Sequence, residues 1–215
     1  RGVGNGISLI ITAGIIANLP SAVVSTLQLG RTGELSIAFI LSILILILGL
    51  IIFIVFVEKG QRRLIVQYPK RQVGNKVYGG QSSHLPLKIN TAGVIPVIFA
   101  SSILLLPNTM SGFGAGSSSD IFLFISSYLG RGQPLYLALF AAMIIFFGFF
   151  YTGIVFNPDD QAENLRKYGG FIPGIRPGEN TANYLDYVLT RLTVLGAIYL
   201  SLICLLPELL ISKYQ

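Results

Sequence analysis

The sequence predicts an all-α membrane protein that crosses the bilayer several times, and three observations support this. The chain of 215 residues is 53% hydrophobic, and only 11% of its residues are charged. Soluble domains carry roughly 25% charged residues, so this chain lacks the polar side chains needed to cover a globular surface. Long apolar segments recur along it, and basic residues collect in two of the segments between them. Together these features place it among polytopic membrane proteins.

Five apolar segments are predicted to be transmembrane helices. The second, at 35–57, is the clearest because it contains no charged residue. At about 1.5 Å rise per residue it is long enough to cross roughly 30 Å of hydrocarbon. The third contains Pro96, and a proline inside a span predicts a kink. The predicted spans cover residues 6–24, 35–57, 85–106, 135–156 and 188–211.

The basic residues between the spans predict the orientation of the chain. Cytoplasmic loops of membrane proteins are enriched in Lys and Arg, which assigns the loops 58–84 and 157–187 to the cytoplasm. In the first of these loops, β-prone runs at 63–68 and 76–78 flank a Gly-Asn turn pair, so we expect a cytoplasmic β-hairpin. This basic hairpin would either dock a partner or anchor the loop to anionic lipid, and the charge pattern alone leaves both open.

Charged residues are missing from the middle of every predicted span. Ion pumps and coupled transporters usually place an ionisable group there. The chain has one histidine, His84, and one cysteine, Cys204, which argues against a clustered metal site. The predicted topology also puts these two residues on opposite sides of the membrane, so they cannot form a catalytic pair. We therefore expect no catalytic residues, no metal site, no cofactor and no enzymatic activity.

A water-accessible path closed by apolar side chains is the remaining possibility. Ile11 and Ile98 are candidates, because each falls near the middle of a span that also carries small or polar residues. The alternative is that both are ordinary packing residues, and the sequence pattern alone favours this alternative.

Several short motifs carry more information than composition. In chain order they are RGVGNGIS at 1–8, FVEKGQRR at 56–63, HLPLK at 84–88, AGVIP at 92–96, IFASS at 98–102, FNP at 156–158, FIPGIRPG at 171–178 and TRLT at 190–193. In this order and spacing they resemble the bacterial SecY family, the channel subunits of the general protein translocase. The similarity covers essentially all 215 residues.

The resemblance implies half of a pseudo-two-fold, ten-helix channel. The chain would be the second half, spans five to nine, without the N-terminal half and the last span. The odd number of predicted spans and the missing initiator Met agree with a cut inside a longer protein. The implied function is to pass unfolded secretory polypeptides across the bacterial cytoplasmic membrane and membrane segments laterally into it. The implied partners are SecE and SecG, the SecA motor ATPase, the ribosome, secretory precursors and membrane lipids.

The resemblance also implies roles for individual residues. Ile11 and Ile98 match two positions of the apolar ring that seals the pore around the translocating chain. Ile95, Ser101 and Ser102 would lie along the lateral gate between the two halves. The implied docking residues for the motor or the ribosome are Arg176, Lys70, Arg71, Lys76, Arg62 and Arg63. At the hairpin tip this chain has one basic residue where many relatives have two.

Two alternatives predict different features. Half of an inverted-repeat secondary transporter would need a charged or unwound segment at the bilayer midplane, and neither is visible in the sequence. A non-conducting structural membrane subunit would keep the docking surfaces without a conduit for polypeptides.

Overall fold

The computed structural model describes residues 6–33, 36–74, 76–78, 80, 82–113, 127–130 and 133–214. The chain divides into two compact units, 1–54 and 55–215, which are described separately. The helices and strands are α1 Gly6–Arg31, α2 Ile37–Lys59, β1 Gln61–Gln67, β2 Arg71–Val73, β3 Lys76–Tyr78, β4 Ser82–Lys88, α3 Ile95–Phe113, α4 Pro134–Val155, α5 Pro158–Lys167 and α6 Glu179–Tyr214.

The prediction of a mostly helical membrane fold with a β-hairpin is confirmed. Across the described residues, four helical stretches are long and apolar enough to cross a membrane, and they are Gly6–Arg31, Ile37–Lys59, Pro134–Lys167 and Glu179–Leu210. The third of these stretches takes in both α4 and α5. The apolar part of α3, Ile95–Pro107, is shorter than these four.

In the first unit, α1 has no buried residue, and five of its polar side chains bond to their own helix. The Thr12 hydroxyl donates to the Ser8 carbonyl oxygen at 2.7 Å, and the Asn18 amide donates to the Gly14 carbonyl oxygen at 3.3 Å. Hydrocarbon offers no partner for a polar group, so such internal bonds allow these residues to remain in a membrane helix. The helix continues to Arg31 and so passes the predicted boundary at residue 24.

The second unit packs around α6, whose buried residues join two hydrophobic clusters. The hairpin cluster consists of Leu64, Val66, Leu87, Ile172, Leu185, Val188 and Leu192. The helix cluster consists of Ala100, Leu104, Tyr136, Phe140, Ile144, Tyr199 and Leu200. Helix α6 contributes to both clusters, so it connects the β-hairpin to the packed helices α3 and α4.

The β-hairpin has two parts with different strand partners. Strands β1 and β4 pair antiparallel, with Gln61 opposite Lys88 and Gln67 opposite Ser82. Strands β2 and β3 form the tip, with Val73 opposite Lys76. The predicted hairpin is therefore present, but the run at 63–68 pairs with β4 and not with the run at 76–78. Leu64, Val66 and Leu87 are buried on one face of the β1–β4 pair, and this alternation fixes its register.

The predicted start of the third span at residue 85 is wrong. Residues 82–88 form β4, and α3 begins only at Ile95. Hydrophobicity recurs in β4 with a period of two, because Leu87 is buried between exposed neighbours, and this period belongs to a strand. Pro96 is consequently the second residue of α3, where its missing N–H costs no helical hydrogen bond. The kink predicted at Pro96 is also wrong.

The predicted loop 157–187 contains helix as well as loop. Asn157 caps α5 by accepting a hydrogen bond from the Asp159 backbone N–H at 3.1 Å, and Pro158 follows at the first helical position. Helix α6 begins at Glu179, well before the predicted residue 188. Hydropathy misses both segments because they are polar, although Ala182 and Leu185 already face the protein interior.

Candidate functional site

One face of α3 carries the predicted pore and gate residues. Ala100 and Leu104 are buried in the helix cluster, with exposed fractions of 0% and 5%. Ile98 lies on the opposite face and is 39% exposed, and Ser102 on the next turn is also exposed. At 100° per residue, Ile98 and Ser102 project on the side away from the packed face. We call this surface the outward face of α3.

The polar groups on the outward face are satisfied within the helix. The Ser101 and Ser102 hydroxyls both donate to the Ile98 carbonyl oxygen, at 3.0 Å and 2.7 Å. Their donors are therefore used by their own backbone, and the face presents a large apolar side chain with small hydroxyls beside it. Ile95 is half-buried in the first turn of α3. The four predicted residues on this helix thus share one end of α3.

Ile11 belongs to the first unit and is described by itself. It lies in α1 with 44% of its side chain exposed, one residue before Thr12, whose hydroxyl bonds back to its own helix. The resemblance to the SecY family implies that Ile11 and Ile98 act together in one ring. This remains a prediction about residues in two separate units.

The predicted docking residues lie on the hairpin and on the segment before α6. Arg62 and Arg63 are exposed on β1, and Lys70 is exposed between β1 and β2. Arg71 lies in β2 and Lys76 in β3. Arg176 is exposed, and its carbonyl oxygen accepts a hydrogen bond from the Thr181 hydroxyl at 3.0 Å. The residue after the turn glycine at the hairpin tip, Asn75, is outside the described residues.

A backbone bridge that sequence analysis missed joins the hairpin to the segment that carries Arg176. The Gln67 N–H donates to the Phe171 carbonyl oxygen and the Phe171 N–H donates to the Gln67 carbonyl oxygen, both at 2.9 Å. Ile172, the next residue, is buried in the hairpin cluster. The hairpin and the segment carrying Arg176 are therefore one packed structure. The bridge uses only main-chain atoms, so the residue types give no direct signal of it.

Gly170 allows this bridge, and we expect its replacement by alanine to weaken it. A Cβ atom at residue 170 would lie 2.9 Å from Cε1 of Tyr68 and 3.1 Å from Cγ1 of Val66. Overpacking of this kind costs about 1–3 kcal/mol, so amide-exchange protection at Gln67 and Phe171 should fall roughly tenfold to a hundredfold.

The matched control for this prediction is Gly153→Ala. A Cβ atom at residue 153 would meet no atom within 4 Å. Protection at Gln67 and Phe171 should be unchanged in this control. Unchanged protection in Gly170→Ala as well would contradict the role of Gly170.

Comparison with known proteins places the chain in a family. The family model described as SecY matches residues 1–215. The chain is 58% identical over 214 residues to the protein translocase subunit SecY of Rickettsia felis, covering 100% of this chain and 49% of that protein. It is 56% identical over 209 residues to the same subunit of Escherichia coli K12, covering 97% and 47%. The chain thus spans about half the length of the curated relatives it matches.

Solved structures show the same fold. One described as a protein-conducting channel matches with a TM-score of 0.62 at 18% identity, covering 94% of this chain and 52% of that chain. A second, from a study of the plug domain of the SecY protein, matches with a TM-score of 0.61 at 18% identity and the same coverage. The predicted fold, half of a SecY-type helical channel, is confirmed. From the family match along its whole length and the identity to these relatives, the chain belongs to the SecY family.

Proposed function

We propose that this chain forms half of the channel subunit of a protein-conducting translocon. The subunit passes unfolded secretory polypeptides across the bacterial cytoplasmic membrane and releases membrane segments sideways into the lipid. It has no catalytic activity of its own. Its partners are SecE and SecG within the membrane, with the SecA motor ATPase and the ribosome at the cytoplasmic surface.

The outward face of α3 is the observation that carries this proposal. Ile98 projects from a helix whose opposite face is packed, and the nearby hydroxyls are already bonded to the backbone. An apolar collar built from such residues offers no hydrogen bonds to a passing polypeptide and excludes water and ions when it is closed. Ile11 of α1 supplies a second position of the same collar.

The proposed lateral gate lies along the outward face of α3. Ile95, Ser101 and Ser102 line the side of α3 along which the channel opens to lipid. Small hydroxyl residues allow helices to approach closely. Because the hydroxyls of Ser101 and Ser102 bond to their own helix, separating α3 from a neighbour leaves no unpaired donor in the hydrocarbon.

The basic surface of the hairpin and of the segment before α6 is the docking site for the motor or the ribosome. Its residues are Arg62, Arg63, Lys70, Arg71, Lys76 and Arg176. The bridge between Gln67 and Phe171 supports a single docking platform, since it holds the two segments together. Clustered cations attract an acidic partner surface and raise its association rate.

Motor-driven uptake of a secretory precursor into membrane vesicles tests this function. Vesicles that contain the protein should protect the precursor from protease, and vesicles depleted of it should not. Arg176→Glu should lower motor-driven uptake roughly tenfold at low salt, because association is electrostatically steered. High salt should reduce the difference from wild type. The same charge change at Arg166, exposed on α5, serves as the control and should have little effect.

Two results would contradict the proposal. Equal protection of the precursor in depleted vesicles would argue against transport by this protein. Equal loss of uptake in Arg176→Glu and Arg166→Glu would argue against a specific docking role for Arg176.

A further inference from the structure

Asn90 lies in the short lead-in to α3, residues 89–94, and both polar atoms of its side chain are hydrogen-bonded. The residue is 6% exposed. Its Nδ2 donates to Oε1 of Glu58 at 2.7 Å and to the Gly93 carbonyl oxygen at 3.3 Å. Its Oδ1 accepts from the Gly93 N–H at 3.2 Å. A neutral amide thus joins the carboxylate at the end of α2 to the turn that precedes α3.

The backbone of the lead-in is confined as closely as its side chain. The Ile89 N–H donates to the Gly60 carbonyl oxygen at 3.3 Å. A Cβ atom at Gly60 would lie 2.6 Å from Cδ1 of Ile89. A Cβ atom at Gly196 of α6 would lie 2.8 Å from the carbonyl oxygen of Ile89. Glycine at positions 60 and 196 leaves enough room for Ile89, and a larger side chain at either position would collide with it. The lead-in is therefore held between the end of α2 and α6.

Gly93 completes the geometry of the lead-in. Its φ of +67° lies in the left-handed region that side chains other than glycine rarely adopt. The contacts of Asn90 with the N–H and carbonyl oxygen of Gly93 close this turn directly before α3 starts. The direction of α3, and with it the orientation of its outward face, therefore depends on where Asn90 is held.

We propose that Asn90 is a positioning residue, and that its hydrogen bond to Glu58 fixes the start of α3 relative to the end of α2. The hairpin joins α2 to the lead-in along the chain, and this bond connects the same two segments directly, on either side of the hairpin. The connection deepens the proposed function and rests on it for the identity of what α3 lines. The positioning itself requires only the contacts described above.

Two variants separate this hydrogen bond from general packing. In N90D the carboxylate at position 90 faces the Glu58 carboxylate, and both Nδ2 donations are lost. In the double variant E58Q/N90D the carboxylate and the amide exchange places, so the chain lengths are unchanged and one hydrogen bond forms with its polarity reversed. A hydrogen bond to a charged group is worth roughly a tenfold change in the balance between two arrangements.

The measurement is the distance between two nitroxide spin labels in membrane vesicles that contain the protein as the cell makes it. Native cysteines are replaced by serine, and the labels are placed at Phe56 near the end of α2 and at Leu106 on α3, both exposed. Wild type at positions 58 and 90 should give one narrow distance distribution. N90D should increase the population at displaced distances roughly tenfold or should reduce the amount of folded protein. E58Q/N90D should recover part of either loss, because the bond between positions 58 and 90 forms again while the donation to the Gly93 carbonyl oxygen stays lost.

A narrow distribution with normal protein levels in N90D would overturn the inference, as would a double variant no better than N90D. The spin-label distances are measured without any transported polypeptide. If the distances behave as expected but Ile98 never contacts a translocating polypeptide, the positioning role stands and the proposed function fails. If Ile98 contacts the polypeptide but the distances do not respond, the proposed function stands and the role of Asn90 fails.

Discussion

Replacing Ile98 with aspartate is expected to make the resting channel leak ions. The outward face of α3 presents Ile98 at 39% exposure with its nearest hydroxyl donors already bonded. A carboxylate retains its water shell, and placing a charge at mid-membrane depth costs about 2.5–3.5 kcal/mol on insertion scales. Water that enters the collar hydrates the carboxylate and removes that cost. The fraction of closed collars that contain water should therefore rise on the order of a hundredfold. Ion conductance of protein-containing planar bilayers without a precursor measures the effect.

Ile98→Leu is the control for the leak, because it keeps the volume and the apolar character of the side chain. Its resting conductance should match that of wild type. A tight Ile98→Asp channel, or equal leakage in both variants, would show that Ile98 does not contribute to the seal.

Leu185→Ala is expected to loosen the hairpin from α6. Leu185 has no exposed surface and lies in the hairpin cluster with Val66, Leu87 and Ile172. Removing a buried leucine side chain costs about 2–5 kcal/mol, because the surroundings fill the cavity only in part. The hairpin should then become sensitive to protease in vesicles, and the docking-dependent uptake of precursor should fall with it.

Asn183→Ala provides the matched change on the same helix. Asn183 is exposed two residues before Leu185, and surface substitutions of this kind usually change stability by less than about 0.5 kcal/mol. Protease resistance should therefore match wild type. A resistant hairpin in Leu185→Ala would mean that the hairpin cluster does not hold the docking platform in place.

Hydropathy predicts the helices well where a span is uniformly apolar. Helix α2 lies within two residues of its predicted bounds at each end, because its apolar run is not interrupted and a charged pair, Glu58 and Lys59, follows it. The same method shortens α6, since most of the residues from 179 to 187 are polar although they continue the helix. A polar surface does not end a helix that is supported by packing along one face.

The start of α3 shows why a local hydropathy pattern was not sufficient to predict where the third span begins. Leu85 and Leu87 look like the beginning of an apolar span, but they belong to a strand whose partner is β1. Pairing between segments this far apart depends on backbone hydrogen bonds and on the buried face they create. Neither feature can be read from a short stretch of residue types.

The candidate site also combines features that the sequence predicts with features that it does not. The direction of Ile98 relative to Ala100 and Leu104 follows from helical periodicity once the helix is known. The bridge between Gln67 and Phe171 and the hydrogen bond between Asn90 and Glu58 depend on contacts distant in sequence. The glycines at 60, 170 and 196 were the available hints, since each one permits a close approach of neighbouring atoms.

Site-specific photocrosslinking tests the central claim, that the outward face of α3 lines a path for polypeptides, most directly. A photoreactive residue replaces Ile98 in one variant and Leu104, 5% exposed on the packed face, in the control. A secretory precursor is then stalled during export through membrane vesicles that contain the protein. The account predicts a precursor adduct at Ile98 that depends on translocation, and none at Leu104. Absence of an adduct at Ile98, or equal adducts at both positions, would contradict it.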